Sequence, residues 1–405
     1  MKKVSLALSV LFLLNSCSFF GGKKQDDTVD EIFEQGRIDP NLIPANIGYV
    51  PVLPFFTGFI NPVDVYVGYD EMIYVVDDNG VHIMDQAGRE FRLLAIPGAS
   101  EVIQDRRLHT YVIGTSTVVD GGQSYTVSAI YHLSNTATSE GPFFVDTLVQ
   151  PFCDASREFT SFRGAAEEQV QFTGLTVLHD NTLMVSRQGP QNSAASVAYP
   201  DNTILFFDED GNNTGNSNGL NSQNPSIRSS YKVVAMAGEA GPPQRLFGMS
   251  ESRDFWIAQY DALNPVEFSC IGIEYQFDPD LGARYDGKPH LLNFDTSKSG
   301  RFLYESFRFG KIEDLYMAPD NSAYLFVVDS DKDSVFQFTN LGFEGVTPPA
   351  NYSTKKQVIA SFGGEGSGPF QFRDPSGVCY FKRRLFVADK GNGRICRYIL
   401  STDLE

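Results

Sequence analysis

The chain has 405 residues, a formal charge of −18 and a 13% aromatic content, with 36 glycines and five cysteines. So acidic a surface argues against nucleic acid and anionic membrane surfaces as partners. Cys17, Cys153, Cys270, Cys379 and Cys396 are scattered without a C-x-x-C or a zinc-ligand spacing, which argues against a disulfide scaffold or a structural metal.

In chain order, the first element is an address. Lys2 and Lys3 precede an apolar stretch at 4–14 of signal-peptide length, too short to span a bilayer. It ends in Leu14-Asn15-Ser16-Cys17, which resembles the lipobox of bacterial lipoproteins. That resemblance implies cleavage after residue 16, acylation of Cys17 and attachment to the outer membrane, on its periplasmic side or at the cell surface. Cleavage removes two lysines and takes the formal charge from −18 to −20. Residues 17–47 are polar and unpatterned and read as a lipidated flexible tether. Within them, Lys23-Lys24-Gln25-Asp26-Asp27 is similar to the export signal of some Bacteroidetes surface lipoproteins.

From residue 48 to the end, the chain is expected to be all-β and built from a repeat. Residues 61–88 contain three short strands divided by turns. The pattern returns at 311–342, and at 170–211 with a long insertion. Two degenerate copies run over 100–152 and 246–309. The last copy, GGEGSGPFQFRDPSGVCYFKRRLFVADKGNGRICRYIL, has a Gly-rich lead-in, a D-P-S-G turn and three strands. Its lead-in, Pro-x-Gly-Val, "YVAD"-like and N-x-R-I elements closely resemble an NHL repeat. Lead-ins at Gly164, Gly238 and Gly364, and turns DQAG, DEDG, DPDLG and TNLG, recur at comparable places. The resemblance implies a six-bladed β-propeller of the NHL type, with seven blades as the alternative.

The last copy supplies only three strands. The stretch 49–56 (YVPVLPFF) reads as an edge strand, its prolines suiting an outer edge, and is expected to pair outside 394–399 and close the ring. The tether would then join at the bottom, leaving the top face pointing away from the membrane. Top here means the end at which each innermost strand begins.

No H-E-x-x-H, G-x-S-x-G or P-loop is present, so no catalytic residue, metal ligand or cofactor is assigned. Asp77, Asp329 and Asp389 end the second strands of their blades and, by the NHL resemblance, fasten the following turn. Asp208-x-Asp210-x-Asn212 lacks the glycine and twelfth-position acid of a calcium loop and reads as a turn. His82, His109, His132, His179 and His290 fall singly and could converge only in the central channel. The candidate binding positions lie on long top-face loops. These are Arg157, Phe162 and Arg163 in the lead-in 153–171, Arg187 at the start of the insertion 187–202, and Gln259 and Tyr260 before 261–267. The expected function is a non-catalytic envelope lipoprotein, a propeller scaffold for a protein partner or glycan. The alternative is a metal-dependent, lactonase-like propeller hydrolase or lyase.

Overall fold

A computed structural model describes residues 36–150, 162–192, 200–217, 232–243, 250–280, 282–288, 291 and 302–404. Six antiparallel sheets follow one another along the chain. Blade 1 comprises Asp64–Val67, Ile73–Asp77, Gly80–Met84 and Glu90–Leu94. Blade 2 comprises Glu101–Gln104, Thr110–Asp120, Gln123–Ser134 and Phe143–Val149. Blade 3 comprises Gln171–Val177, Leu183–Gln188, Thr203–Phe207 and Asn213–Asn216. Blade 4 comprises Val233–Gly238, Phe255–Gln259, Cys270–Asp278 and Gly282–Gly287. Blade 5 comprises Ile312–Met317, Leu325–Asp329, Ser334–Phe338 and Phe362–Gly363. Blade 6 comprises Pro375–Phe381, Arg384–Asp389 and Arg394–Leu400. The innermost strand of each blade contacts that of the next, and the sixth contacts the first. The fold is therefore a closed six-bladed β-propeller, and the seven-blade alternative falls.

The local chemistry explains the repeat. Second strands such as Ile73–Asp77 and Leu325–Asp329 are short continuous apolar runs, buried throughout because another blade packs on each face. The turn after the third strand ends on Gly88, Gly211, Gly282 or Gly342, all at φ between 82° and 83°, where an L side chain is strained. In three of these turns that glycine N–H returns to the carbonyl of Asp85, Asp208 or Thr339. Asp208 also accepts the N–H groups of Asp210 and Asn212, as a turn requires.

Ring closure follows the expected route. Tyr49–Leu53 pairs antiparallel with Arg394–Leu400, in register Tyr49↔Leu400, and Phe56–Thr57 pairs further along the same strand. The tether reading is corrected at its C-terminal end. Arg37–Ile38 adds a fifth strand outside Tyr49–Leu53, and Ile47 is buried. That extra strand runs from top to bottom, so the chain arrives from the top side of blade 6, not from the bottom. The expectation that the top face points away from the membrane loses its basis. Residues 17–35, Cys17 among them, lie outside the described residues.

Blade 4 is also corrected. Its innermost strand is Val233–Gly238, ahead of the expected start at 246, so Gly238-Glu239-Ala240-Gly241 follows that strand instead of leading into it. Only an aliphatic run, VVAMAG, marks it, without the D-P-S-G turn of blade 6.

Cys379 and Cys396 occupy the first and third strands of blade 6 with Arg384–Asp389 between them, and both are free and buried. Two strand spacings of about 4.8 Å exceed the ~7 Å reach of a disulfide. Peptide mapping of oxidised, non-reduced protein should recover both thiols unbridged. A 379–396 cross-linked peptide would refute the strand order.

Candidate binding site in the propeller mouth

Each blade delivers one residue to a ring at the top of the channel: Val63, Ser100, Thr173, Val234, Glu313 and Ser376. In blades 3 to 6 the pairing of the innermost strand shifts by one residue at this position, between Phe172/Gly174, Val233/Ala235, Ile312/Asp314 and Pro375/Gly377. Such bulges re-aim a side chain, here toward the axis. Above the ring opens a mouth of about 720 Å³. One wall comes from the long second and third strands of blade 2, which contribute Thr115, Thr126 and Ser128.

The next ring down is Asp64, Glu101, Gly174, Ala235, Asp314 and Gly377, three acids and three small residues. Asp64 Oδ2 accepts Val102 N–H at 2.9 Å, Glu101 Oε1 accepts Leu175 N–H at 2.8 Å, and Asp314 Oδ2 accepts Val378 N–H at 2.7 Å. Each acid thus ties its blade to the following one. Thr176 serves blade 4 in the same way through Gly238 N–H, and Cys379 Sγ receives Val67 N–H across the closure. The small residues are required by packing: a Cβ on Gly377 would lie 2.8 Å from the Asp64 backbone, and one on Gly174 3.2 Å from that of Ala235. Below the acids the channel narrows to about 40 Å³ between residues such as Tyr66, Met236 and Tyr316. The site is a wide mouth over a nearly closed throat.

Burial raises the Asp64 carboxyl to about 6. Burial first, and repulsion from the neighbouring acids second, holds Glu101 and Asp314 well above the carboxylate range. A group with a raised folded pKa favours the folded state below its unfolded pKa, and that contribution is lost as pH rises through the folded value. Asp64→Asn should therefore gain stability relative to wild type between pH 4 and pH 7, by about 1.4 kcal/mol per pKa unit removed, with no relative gain below pH 4. Urea midpoints across that range measure it.

Elsewhere the top face is a scaffold of buried ion pairs. Arg187, which is 1% exposed, donates to Gln150 Oε1 at 2.8 Å and to the carbonyls of Pro200 and Asp201 at 3.0 and 3.3 Å. Gln150 donates to Glu167, which accepts from Arg163. Arg163 also reaches Gln191 at 2.7 Å and Asp201 at 2.8 Å. The structure brings these two candidate arginines together, but as the internal brace of the loops between blades 2 and 3. Arg187 is too buried to touch a partner. Gln259 is likewise buried, beside the Phe268 carbonyl. Tyr260 is half-buried, its N–H bound to Lys232. Phe162 packs edge-on against Tyr125 of the long blade 2 hairpin, with ring centroids 5.2 Å apart. Arg157 lies outside the described residues, as do 193–199 of the insertion, Cys153 and His290.

Two further readings change. Asp329 accepts the N–H groups of Gly310 and Lys311 in its lead-in loop instead of those of the turn that follows. Asp389 accepts Arg373 N–H from its lead-in and the side-chain N–H groups of Asn392 and Arg394 from the following turn and strand. Asp77 does both, holding Ile60 and Asn79. Among the described residues, the histidines do not meet in the channel. His109 and His132 pair in blade 2, Nδ1 to Nε2 at 2.8 Å, with Tyr111 stacked on His132. Burial and the nearby His109 lower His132 to about 4, so this is a neutral packing pair.

The throat acids had escaped sequence reading. A signal was present: Pro62-Val63-Asp64-Val65 and Lys311-Ile312-Glu313-Asp314-Leu315 occupy the place of Asp374-Pro375-Ser376-Gly377-Val378, with an acid where the last copy has glycine.

The fold and its mouth define the class: a six-bladed β-propeller with a ligand-sized opening on its top face. Within it, residues 372–398 match the family model described as the NHL repeat. A search of the curated proteins found no match. Similar solved structures include an auxiliary nutrient binding protein from Bacteroides thetaiotaomicron, at 9% identity and a TM-score of 0.49, covering 90% of this chain and 75% of that one. A gluconolactonase from Xanthomonas campestris is 11% identical with a TM-score of 0.44, covering 90% and 94%. A streptogramin B lyase is 10% identical with a TM-score of 0.42, covering 88% and 98%. These likenesses are too distant to argue for a ligand or a reaction.

Proposed function

We propose that the chain is a non-catalytic envelope lipoprotein, attached to the outer membrane through Cys17, whose top-face mouth binds a protein partner or a glycan. The supporting observation is the mouth itself. At about 720 Å³ it falls in the ~300–1,000 Å³ range of ligand sites, and cross-blade hydrogen bonds hold it rigidly. Among the described residues its lining includes no cysteine or histidine.

Attachment is tested by Cys17→Ser. The variant should leave the membrane fraction almost entirely, because an acyl anchor contributes about 0.8 kcal/mol per buried CH₂. Retention after a carbonate wash would end the lipoprotein reading. Binding is tested by capture from native membranes with wild type against Thr126→Trp, which fills the mouth. Partners that survive the substitution would move the site elsewhere.

One observation favours the lactonase-like alternative: Asp64, Glu101 and Asp314 face a common throat. The residues do not fit a metal centre. Each acid is already engaged with the next blade's N–H, and among the described residues no three His, Cys, Asp or Glu side chains are placed to share an ion. Stoichiometric divalent metal in purified protein would reinstate that reading.

A further inference from the structure

The charged side chains around the mouth already have hydrogen-bond or ion-pair partners within the protein. The throat acids hold backbone N–H groups. Lys390 pairs with Asp374 at 3.3 Å, Glu313 pairs with Lys311, and Glu168 accepts Thr126 N–H. What remains uncommitted is mostly uncharged. Among the described residues, the side chains of Ser100, Thr126 and Gln171 line the mouth without a hydrogen bond, and Glu101 uses only Oε1. These groups come from blades 2 and 3. Next to blade 3 in the ring, blade 4 presents the apolar side chains of Val234 and Ala235.

We propose that the mouth takes a small neutral carbohydrate, its hydroxyls on Ser100, Glu101, Thr126 and Gln171 and an apolar ring face toward Val234 and Ala235. This assignment rests on the reading of the mouth as the binding site. Hydroxyls, a carboxamide and a carboxylate oxygen together both donate to and accept from vicinal hydroxyl groups. A cationic ligand would have to draw carboxylates away from the N–H groups and the lysine they already hold, and a large apolar ligand would leave the free hydroxyls and carboxamide buried without partners.

The test is calorimetric titration of the full-length protein in detergent with glucose, galactose, maltose and lactose, beside spermidine and trialanine. At least one saccharide should bind. Thr126→Val and Gln171→Ala should each weaken it roughly three- to tenfold while the unliganded melting temperature stays unchanged. Glu101→Gln keeps an acceptor for Leu175 N–H and should weaken binding without unfolding the ring. Absence of binding by all four saccharides overturns the proposal. Binding of spermidine or trialanine that these substitutions abolish also overturns it but leaves the mouth as the site. Saccharide binding that none of the substitutions alters overturns the mouth as the site as well.

Discussion

A chain that begins at Thr57 should fail to give a stable monomer. It lacks Tyr49, Val50, Val52, Ile47 and Phe56, all buried in the closed ring. At about 1.5–3 kcal/mol for each large apolar side chain, their loss approaches the 5–15 kcal/mol that stabilises a typical domain. Tyr49 also packs on rings of the neighbouring blade, 5.4 Å from Phe362 and 6.4 Å from Phe326, so its removal opens the junction of blades 5 and 6. The exposed edge of Arg394–Leu400 would invite intermolecular pairing. A chain beginning at Ile43 loses, of the described elements, Arg37–Ile38 and the turn Pro40–Leu42, none of whose side chains is buried, and should melt close to the parent. Equal melting temperatures for the Thr57 and Ile43 chains would refute closure by Tyr49–Leu53.

Arg187→Glu should destabilise the protein by about 3–5 kcal/mol, the usual result of leaving a buried charge without its counterpart. The new carboxylate would face Gln150 Oε1 and the carbonyls of Pro200 and Asp201, all acceptors, with Glu167 and Asp201 nearby in the same network. Arg163→Glu should cost less, because that side chain is about one-fifth exposed. Denaturant midpoints with an unchanged slope would measure both. An Arg187→Glu protein as stable as wild type would return that residue to the list of surface contacts. Loss of partner capture in an Arg187→Glu protein that still folds would then reflect binding, whereas the brace predicts that folding is lost first.

Why these arginines were misjudged is physical. Long insertions of Gly, Ser, Asn and Gln mark exposed loops correctly, but the residue at the base of such a loop sits where two blades meet. Gln150 belongs to the end of blade 2 and Arg163 to the lead-in of blade 3, and each lies far in sequence from its partner, Arg187 or Asp201, on the insertion of blade 3. The histidines were misjudged for the same reason in reverse: His109 and His132 are cross-strand neighbours within one hairpin, a pairing that depends on strand register.

The repeat, the blade count, the turn glycines and the closing strand were legible because they are local or periodic. A glycine demanded by φ near 82°, or an apolar run bounded by turns, carries its meaning in a few adjacent residues. Even Cys379 and Cys396 could be kept apart by counting strands. The throat was decided only by tertiary structure. Asp64, Glu101 and Asp314 are ordinary acids in three distant segments, and six-fold closure brings them to one level of one channel. Their raised pKa values, the mouth above them and the direction from which the chain meets blade 6 all depend on that closure, which no window of sequence contains.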